Sequence, residues 1–302
     1  MQRTNPASRW PDVRWLAGLR AVSAVEADES ASFASLVNHK RVAVVGPALT
    51  LLGSGQGEAI DRYDLVVRFN EAFDQRPTET ELGRDIGSRC DIVYANQVLL
   101  RQRLLDLPVG ERSVMWSKAA DSGLKYLVCT NNSLSYRPDG RPLAGCPRND
   151  RETPRLVAEM LQRDAPGVRL RVCSSASQRA VGLLDGCYGR TGFIALLDLI
   201  GSGASELFVA GMTFYHGGGH LLARNGPALR PDTNRDGSPS LNEKGRGHDS
   251  RRELDVFRAV VRADPSRLRV DDALAKLLHY GPDLDERSHH STVRAQRRKS
   301  CR

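Results

Sequence analysis

Short, β-branched apolar runs alternate along this chain with stretches of helical character, and that alternation constrains the fold more than any other feature. Arg41–Val45 (RVAVV), Leu65–Phe69 (LVVRF), residues 90–94 (CDIVY), residues 126–129 (YLVC), residues 168–172 (VRLRV) and Glu206–Ala210 (ELFVA) each read as a strand. Residues 113–116 are a further strand candidate, and residues 267–270 a last one. Glu152–Asp164 reads as a helix, as do residues 249–263 and 271–279. Residues 193–200 (FIALLDLI) are apolar and rich in Leu, which suggests a buried helix starting near Thr191. Strands alternating with helices argue for an α/β fold with a mostly parallel sheet flanked by helices.

The 302 residues suit one large domain or two ordinary ones. Residues 1–39 read as an N-terminal helical extension, with helical patches near 14–25 and 31–37. Residues 40–284 hold the α/β domain. Within it, residues 217–247 are rich in Gly, Pro, Asn, Asp and Arg and read as one long loop. Residues 285–302 read as a basic, disordered tail: residues 287–302 carry six Lys or Arg and no acid.

The net charge of +8 attracts anions such as nucleotides, nucleic acid, acidic lipid or anionic glycan. The tail accounts for part of it, as a solvated segment or a weak membrane-surface contact. No run approaches the roughly 18 apolar residues of a spanning helix, and the first residues lack the apolar core of a signal peptide. The six cysteines are scattered, with no C-x-x-C pair, so neither a zinc site nor a disulfide scaffold is indicated. A reduced, cytoplasmic setting is the expectation.

The stretch 42–57, VAVVGPALTLLGSGQG, looks like a strand feeding a phosphate-cradling loop. It is not a dinucleotide fingerprint, because the cluster is G-x-G-x-G and lies seven residues beyond Gly46. It is not a Walker A loop, because no Gly-Lys pair occurs in the chain. Glycine permits close approach and φ > 0, so backbone N–H groups near Gly53 and Gly55 are candidates to hold an anion. A plain βα connection is the competing reading.

The residues that follow narrow the choice. Val44-Val45-Gly46, Gly53-Ser54-Gly55, Gly57, Ile60-Asp61, Arg68, Asn70, Asp85 and Gly87-Ser88-Arg89 fall in an order that resembles the large sialylmotif of glycosyltransferase family 29, the eukaryotic-type sialyltransferases. Thr191-Gly192, residues 195–197 (ALL) and Gly211 resemble the small sialylmotif. His248, with Glu253 five residues later, fits the very small motif. Phe214-Tyr215-His216 and His220 are candidates for the family's motif III, and the sequence does not choose between the two histidines.

The chain departs from the family pattern at three places. Pro47-Ala48 stands where the family has Asn-Ser, and Gly189-Arg190 where it has Pro-Ser. Arg41 replaces the first cysteine of the animal enzymes' disulfide.

The resemblance implies a Rossmann-like, single-domain variant of the GT-A type. It implies an inverting, metal-independent enzyme that moves a sugar acid from a CMP-activated donor to an acceptor hydroxyl. Sialic acid is the simplest donor sugar and Kdo the alternative. By resemblance His248 is the general base, and a histidine with an ordinary pKa of about 6.5 suits that task. Donor contacts are expected from Gly46, Ser54, Gly55, Asn70, Thr191 and Gly192, with His216 or His220 on the phosphate. Thr191 is also a plain N-cap candidate. No cofactor is implied beyond the substrates, a CMP-sugar and a glycan or other hydroxyl acceptor.

Three further readings compete. Asp232, Asn234, Asp236 and Glu243 satisfy the EF-hand loop pattern. Pro239 at its eighth position and the non-helical flanks favour an ordinary polar loop, so no metal is expected. Pro47 and the missing Pro-Ser motivate a catalytically weak nucleotide- or glycan-binding protein on the same fold. Nucleic-acid binding lacks a recognised module and is not expected.

Overall fold

A computed structural model of the protein describes residues 28–70, 81–97, 99–100, 108–121, 123–130, 152–184, 187–216 and 248–280. The helical patch at 14–25, His220, the calcium-type loop 232–243 and the basic tail lie outside the described residues.

The elements run α1 (Asp28–Val37), β1 (Arg41–Val45), a 3-10 turn (Leu49–Leu51), α2 (Gly57–Asp61), β2 (Leu65–Phe69), α3 (Glu81–Ile86), β3 (Ile92–Asn96), α4 (Val109–Asp121), β4 (Tyr126–Thr130), α5 (Glu152–Asp164), β5 (Arg169–Val172), α6 (Ser174–Leu183), α7 (Thr191–Gly201), β6 (Glu206–Ala210), α8 (Ser250–Ala263), β7 (Leu268–Val270) and α9 (Asp272–Tyr280). The seven strands form one sheet in the order β5-β4-β3-β2-β1-β6-β7. Every pairing is parallel. This is the Rossmann-like α/β architecture expected from the alternation of strands and helices.

The apolar runs follow from where the strands sit. Helices cover both faces, so successive side chains of a central strand are buried alternately to one side and the other. Val42 and Val44 of β1 pack with Phe33 and Val37 of α1, with α6, α7 and α8, and with Leu207 and Val209 of β6. Ala43 and Val45 face the opposite way, toward Leu51, Ile60 and Ile86. Further along that second face, Val93, Leu127 and Cys129 meet Trp116 and Ala119 of α4 and Val157 and Leu161 of α5. Phe33 and Val37 are fully buried, so the packed domain takes in residues that the sequence reading placed in the N-terminal extension.

One expected strand is a helix. Residues 113–116 lie inside α4, where Trp116 and Ala119 are buried while Lys118 and Asp121 are exposed. That is the three-residue return of a helix face, which an isolated SVMW cannot reveal. The run at 193–200 is helical as expected, and residues 193–201 of α7 are buried throughout.

A polar triad pins α7 inside the domain. Arg171 of β5 makes two donor contacts to Asp198 of α7, and the Tyr94 hydroxyl of β3 donates to the same carboxylate at 2.7 Å. Burial first, and then the Asp198 charge, push the Tyr94 hydroxyl well above its ordinary pKa. The Arg171 guanidinium also lies 4.4 Å over the Phe33 ring, tying α1 to the same point. Removing Arg171 or Asp198 would strand the other as a buried charge, which typically costs about 3–5 kcal/mol.

Candidate active site

The sheet has a topological switch point. From β1 the chain moves to one side through β2, β3, β4 and β5, while β6 and β7 lie on the other side of β1. The loops after β1 and β6 therefore diverge and open a crevice outside their carboxyl ends, the usual ligand position in open α/β sheets. Gly46 follows β1 and Gly211 follows β6. A Cβ on Gly46 would meet the Gly211 carbonyl oxygen at 2.2 Å, so only glycine lets the two backbones pass so closely. The Gly211 amide donates to Asp271 at 2.7 Å, which ties this turn to the start of α9.

A cavity of about 210 Å³ occupies this crevice. Pro47 and Ala48 line it from the loop after β1, Asn70 from the end of β2 and Asn96 from the end of β3. Thr191 and Gly192 contribute the N-terminus of α7, and Met212 to Tyr215 the turn after β6. His248 and Glu253 close it from the start of α8. Among the described residues, Asn70, Phe214 and Tyr215 are three of the four non-glycine residues with positive φ. Strained backbone of this kind gathers at ligand sites, where the surrounding structure holds it in place. Asn70 is also fixed by its side chain, which accepts from the Asn96 amide at 3.2 Å.

His248 stands one residue before the N-cap of α8. Asp249 is that N-cap, and its side chain accepts from the Arg252 amide at 3.0 Å. The Nδ1 of His248 lies 2.9 Å from the carbonyl oxygen of Tyr188. A carbonyl only accepts, so Nδ1 carries a proton, and in the neutral ring Nε2 then bears the lone pair. That is the tautomer a general base needs, with its orientation set by the backbone before α7.

Glu253 reaches the same segment. Its carboxylate, 1% exposed, accepts from the Arg190 amide at 2.7 Å and from the Arg190 guanidinium at 3.2 Å. The guanidinium in turn stacks 4.4 Å over the Tyr215 ring at the cavity rim. Arg252 adds a bond from Nη1 to the Leu184 carbonyl at 3.2 Å.

The glycine loop does something else. Gly53 and Gly55 both adopt positive φ, and their amides donate to the Asp85 carboxylate at 2.6 and 2.8 Å. The loop does cradle an anion, but the anion is a side chain of the same protein. The Gly55 amide, then that of Gly53, holds the Asp85 carboxyl below its ordinary range. Ser54 Oγ donates to the Asp85 carbonyl at 3.3 Å.

The neighbouring motif residues are engaged in the same way. Asp61 accepts from the Ser88 amide, the Ser88 hydroxyl and the Arg89 amide at 2.8, 3.0 and 3.0 Å. Arg68, buried, donates to the carbonyls of Arg89, Ile86 and Gly87 at 2.8, 2.7 and 2.9 Å.

The expected site residues therefore divide. Asn70, Thr191, Gly192 and His248 come together around the cavity. Gly46, Ser54 and Gly55 do not line it: Gly46 shapes the switch point, and the other two hold Asp85. His216 lies just beyond the lining turn, with its amide bonded to the Thr213 carbonyl at 2.8 Å. The sequence reading named Tyr215 only as part of the motif III candidate, and it missed Asn96 and the pairing of Arg190 with Glu253. Only the position of Arg190 directly before Thr191-Gly192 hinted at it. Among the described residues there is no cluster of His, Cys, Asp or Glu able to hold a metal, and no helix long and apolar enough to cross a membrane.

Comparison with known proteins agrees with the resemblance. Residues 19–137 match the model of glycosyltransferase family 29 (sialyltransferase). The alpha-N-acetylneuraminide alpha-2,8-sialyltransferase of Bos taurus is 33% identical over 99 residues, which are 33% of this chain and 24% of that protein. The aligned part thus spans about a quarter of that relative's length.

Among solved structures, a mammalian sialyltransferase in complex with Gal-beta-1-3GalNAc-ortho-nitrophenol aligns with 87% of this chain and 80% of its own, at 14% identity and a TM-score of 0.44. The sialyltransferase CstII of Campylobacter jejuni, in complex with CMP-3FNeuAc, aligns with 76% and 80%, at 12% identity and a TM-score of 0.41. Likenesses this loose carry no argument about function. The family match covers residues 19–137, and over that part the chain is similar to glycosyltransferase family 29 (sialyltransferase).

Proposed function

We propose that the protein is an inverting, metal-independent glycosyltransferase. It moves a sugar acid, sialic acid in the first instance, from a CMP-activated donor to an acceptor hydroxyl. The observation that carries this reading is His248, held through Nδ1 on a cavity at the switch point of a sheet whose first four strands fall within the stretch that matches family 29.

In this reading the acceptor oxygen attacks the anomeric carbon from the side opposite CMP. Its proton passes to Nε2 of His248. The bond from the anomeric carbon to the phosphate oxygen breaks, and CMP leaves with the electron pair. Charge grows on that phosphate, and the N-terminus of α7 at Thr191 and Gly192 favours negative charge there. Asn70 supplies a fixed polar group on the same wall.

The test is release of CMP from CMP-sialic acid and from CMP-Kdo over a panel of glycan acceptors, in the wild type and in His248→Asn. Turnover with one donor that is lost in the variant supports the reading. Turnover that survives in the variant removes His248 as base.

One observation favours a weaker alternative. Pro47 lines the cavity and has neither a backbone N–H nor a polar side chain. A protein that binds CMP but transfers to no acceptor would fit that deficit.

A further inference from the structure

Two segments far apart in sequence are stitched together twice at the cavity wall. In the first stitch, His248 Nδ1 donates to the Tyr188 carbonyl. In the second, the Glu253 carboxylate accepts from both the amide and the guanidinium of Arg190. The two partners on one side are residues 188 and 190, separated by a single glycine. The two on the other side are residue 248, just before α8, and residue 253 in its first turns.

We infer that Glu253 is a positioning residue for His248. It fixes the 188–190 backbone, and that backbone in turn holds the imidazole through the Tyr188 carbonyl.

The physical case rests on burial and on the kind of bond. A carboxylate that is 1% exposed is cut off from water, so its bonds to Arg190 are costly to give up. Arg190 is 8% exposed and carries the opposite charge, so neither partner is easily given up. Charge-assisted bonds are short and directional. The bond to the Arg190 amide acts on backbone, and therefore on the Tyr188 carbonyl two residues earlier. A shift of that carbonyl would release Nδ1 and with it the preference for the Nδ1–H tautomer. Free imidazole has no such preference imposed on it. The guanidinium stack on Tyr215 carries the same constraint to the opposite rim.

The inference rests on the proposed transfer reaction for its kinetic consequence alone. Its structural content is read without activity, by nitrogen-15 NMR of the histidine ring in the full chain, with the His248 signal assigned by its loss in His248→Asn. The wild type is expected to show the Nδ1–H tautomer. Glu253→Gln weakens the hold on Arg190, so it is expected to fold, to retain CMP binding and to lose that signature. Where the transfer reaction is present, turnover falls by about 10²-fold, as a small misplacement of a reacting group produces. Glu253→Asp keeps the charge but cannot span both bonds, so it shows a smaller shift of the same kind. Arg190→Lys keeps the amide bond to Glu253, and the signature is retained.

The inference is overturned if either Glu253 variant folds and keeps the wild-type signature, or if Arg190→Lys loses it. No turnover by the wild type on any donor, with the signature still dependent on Glu253, would leave this inference standing and remove the proposed reaction instead.

Discussion

Around Asp85 and around His248 the chain assembles two polar clusters of opposite economy. The first is turned in on itself. Gly53 and Gly55 hold Asp85, Ser88 and Arg89 hold Asp61, and Arg68 binds three carbonyls of one turn. These are among the residues that most resemble the large sialylmotif, and their polar groups serve the fold. The second cluster surrounds a cavity. Its groups are fixed from behind, His248 by Tyr188 and Asn70 by the Asn96 amide, and they present a surface to something else. A motif can thus be diagnostic of a family because it builds the scaffold, while the chemistry lies in residues that the scaffold merely brings close.

The comparison can be broken at several points. The largest effect is expected for His248→Asn, which removes the base while leaving the Asp85 cluster intact. Turnover should fall by about 10²–10⁴-fold, with the melting temperature and CMP binding nearly unchanged. A melting temperature that fell with activity would show that His248 belongs to the scaffold.

Arg68→Met attacks the other cluster. It leaves three carbonyls without their donor, and unsatisfied buried groups cost about 1–3 kcal/mol. Denaturant unfolding should show the loss, while CMP affinity measured below the transition is retained.

Asp85→Asn should lower stability in a pH-dependent way. The two glycine amides depress the folded-state value of Asp85. Its contribution is therefore present above the unfolded carboxylate value of about 3.9 and is lost as the pH falls through the folded value below that. The stability gap between wild type and variant is expected to be open at neutral pH and to close below about pH 4. Thermal melts at stepped pH test this, and a gap that stays constant into acid would assign the effect to something other than the Asp85 charge.

The smallest effect belongs to Pro47→Asn. The substitution restores a backbone donor and a side-chain amide at the cavity wall. CMP should bind more tightly by up to about tenfold, or about 1.4 kcal/mol, and isothermal titration reads the change. Unchanged affinity would show that the loop after β1 does not touch the nucleotide.

Much of the fold was legible in the sequence. Six β-branched runs are strands, most of them largely apolar because a parallel sheet covered on both faces buries successive side chains. The helix from Thr191 was legible because its Leu-rich run is too long for a strand. Residues 113–116 were misread because four residues cannot separate a period of 2 from a period of 3.6. The site was legible only in part. His248, Thr191, Gly192 and Asn70 were named, but Ser54 and Gly55 were assigned to a ligand when their partner is Asp85. Sequence displays an anion-binding loop without showing whether the anion comes from outside or from a side chain 30 residues further on.

What the sequence determined by itself was therefore the layer architecture, the family resemblance and the choice of a candidate base, since periodicity and motif order are one-dimensional properties. What only the tertiary structure decided was which polar groups meet. The order β2-β1-β6 opens the crevice, and the crevice selects Asn70, Thr191 and His248 while leaving the glycine loop outside. The pairing of Glu253 with Arg190 crosses 63 residues of chain. It arises because two buried, opposite charges must find each other wherever the fold brings them together, and no local pattern announces that.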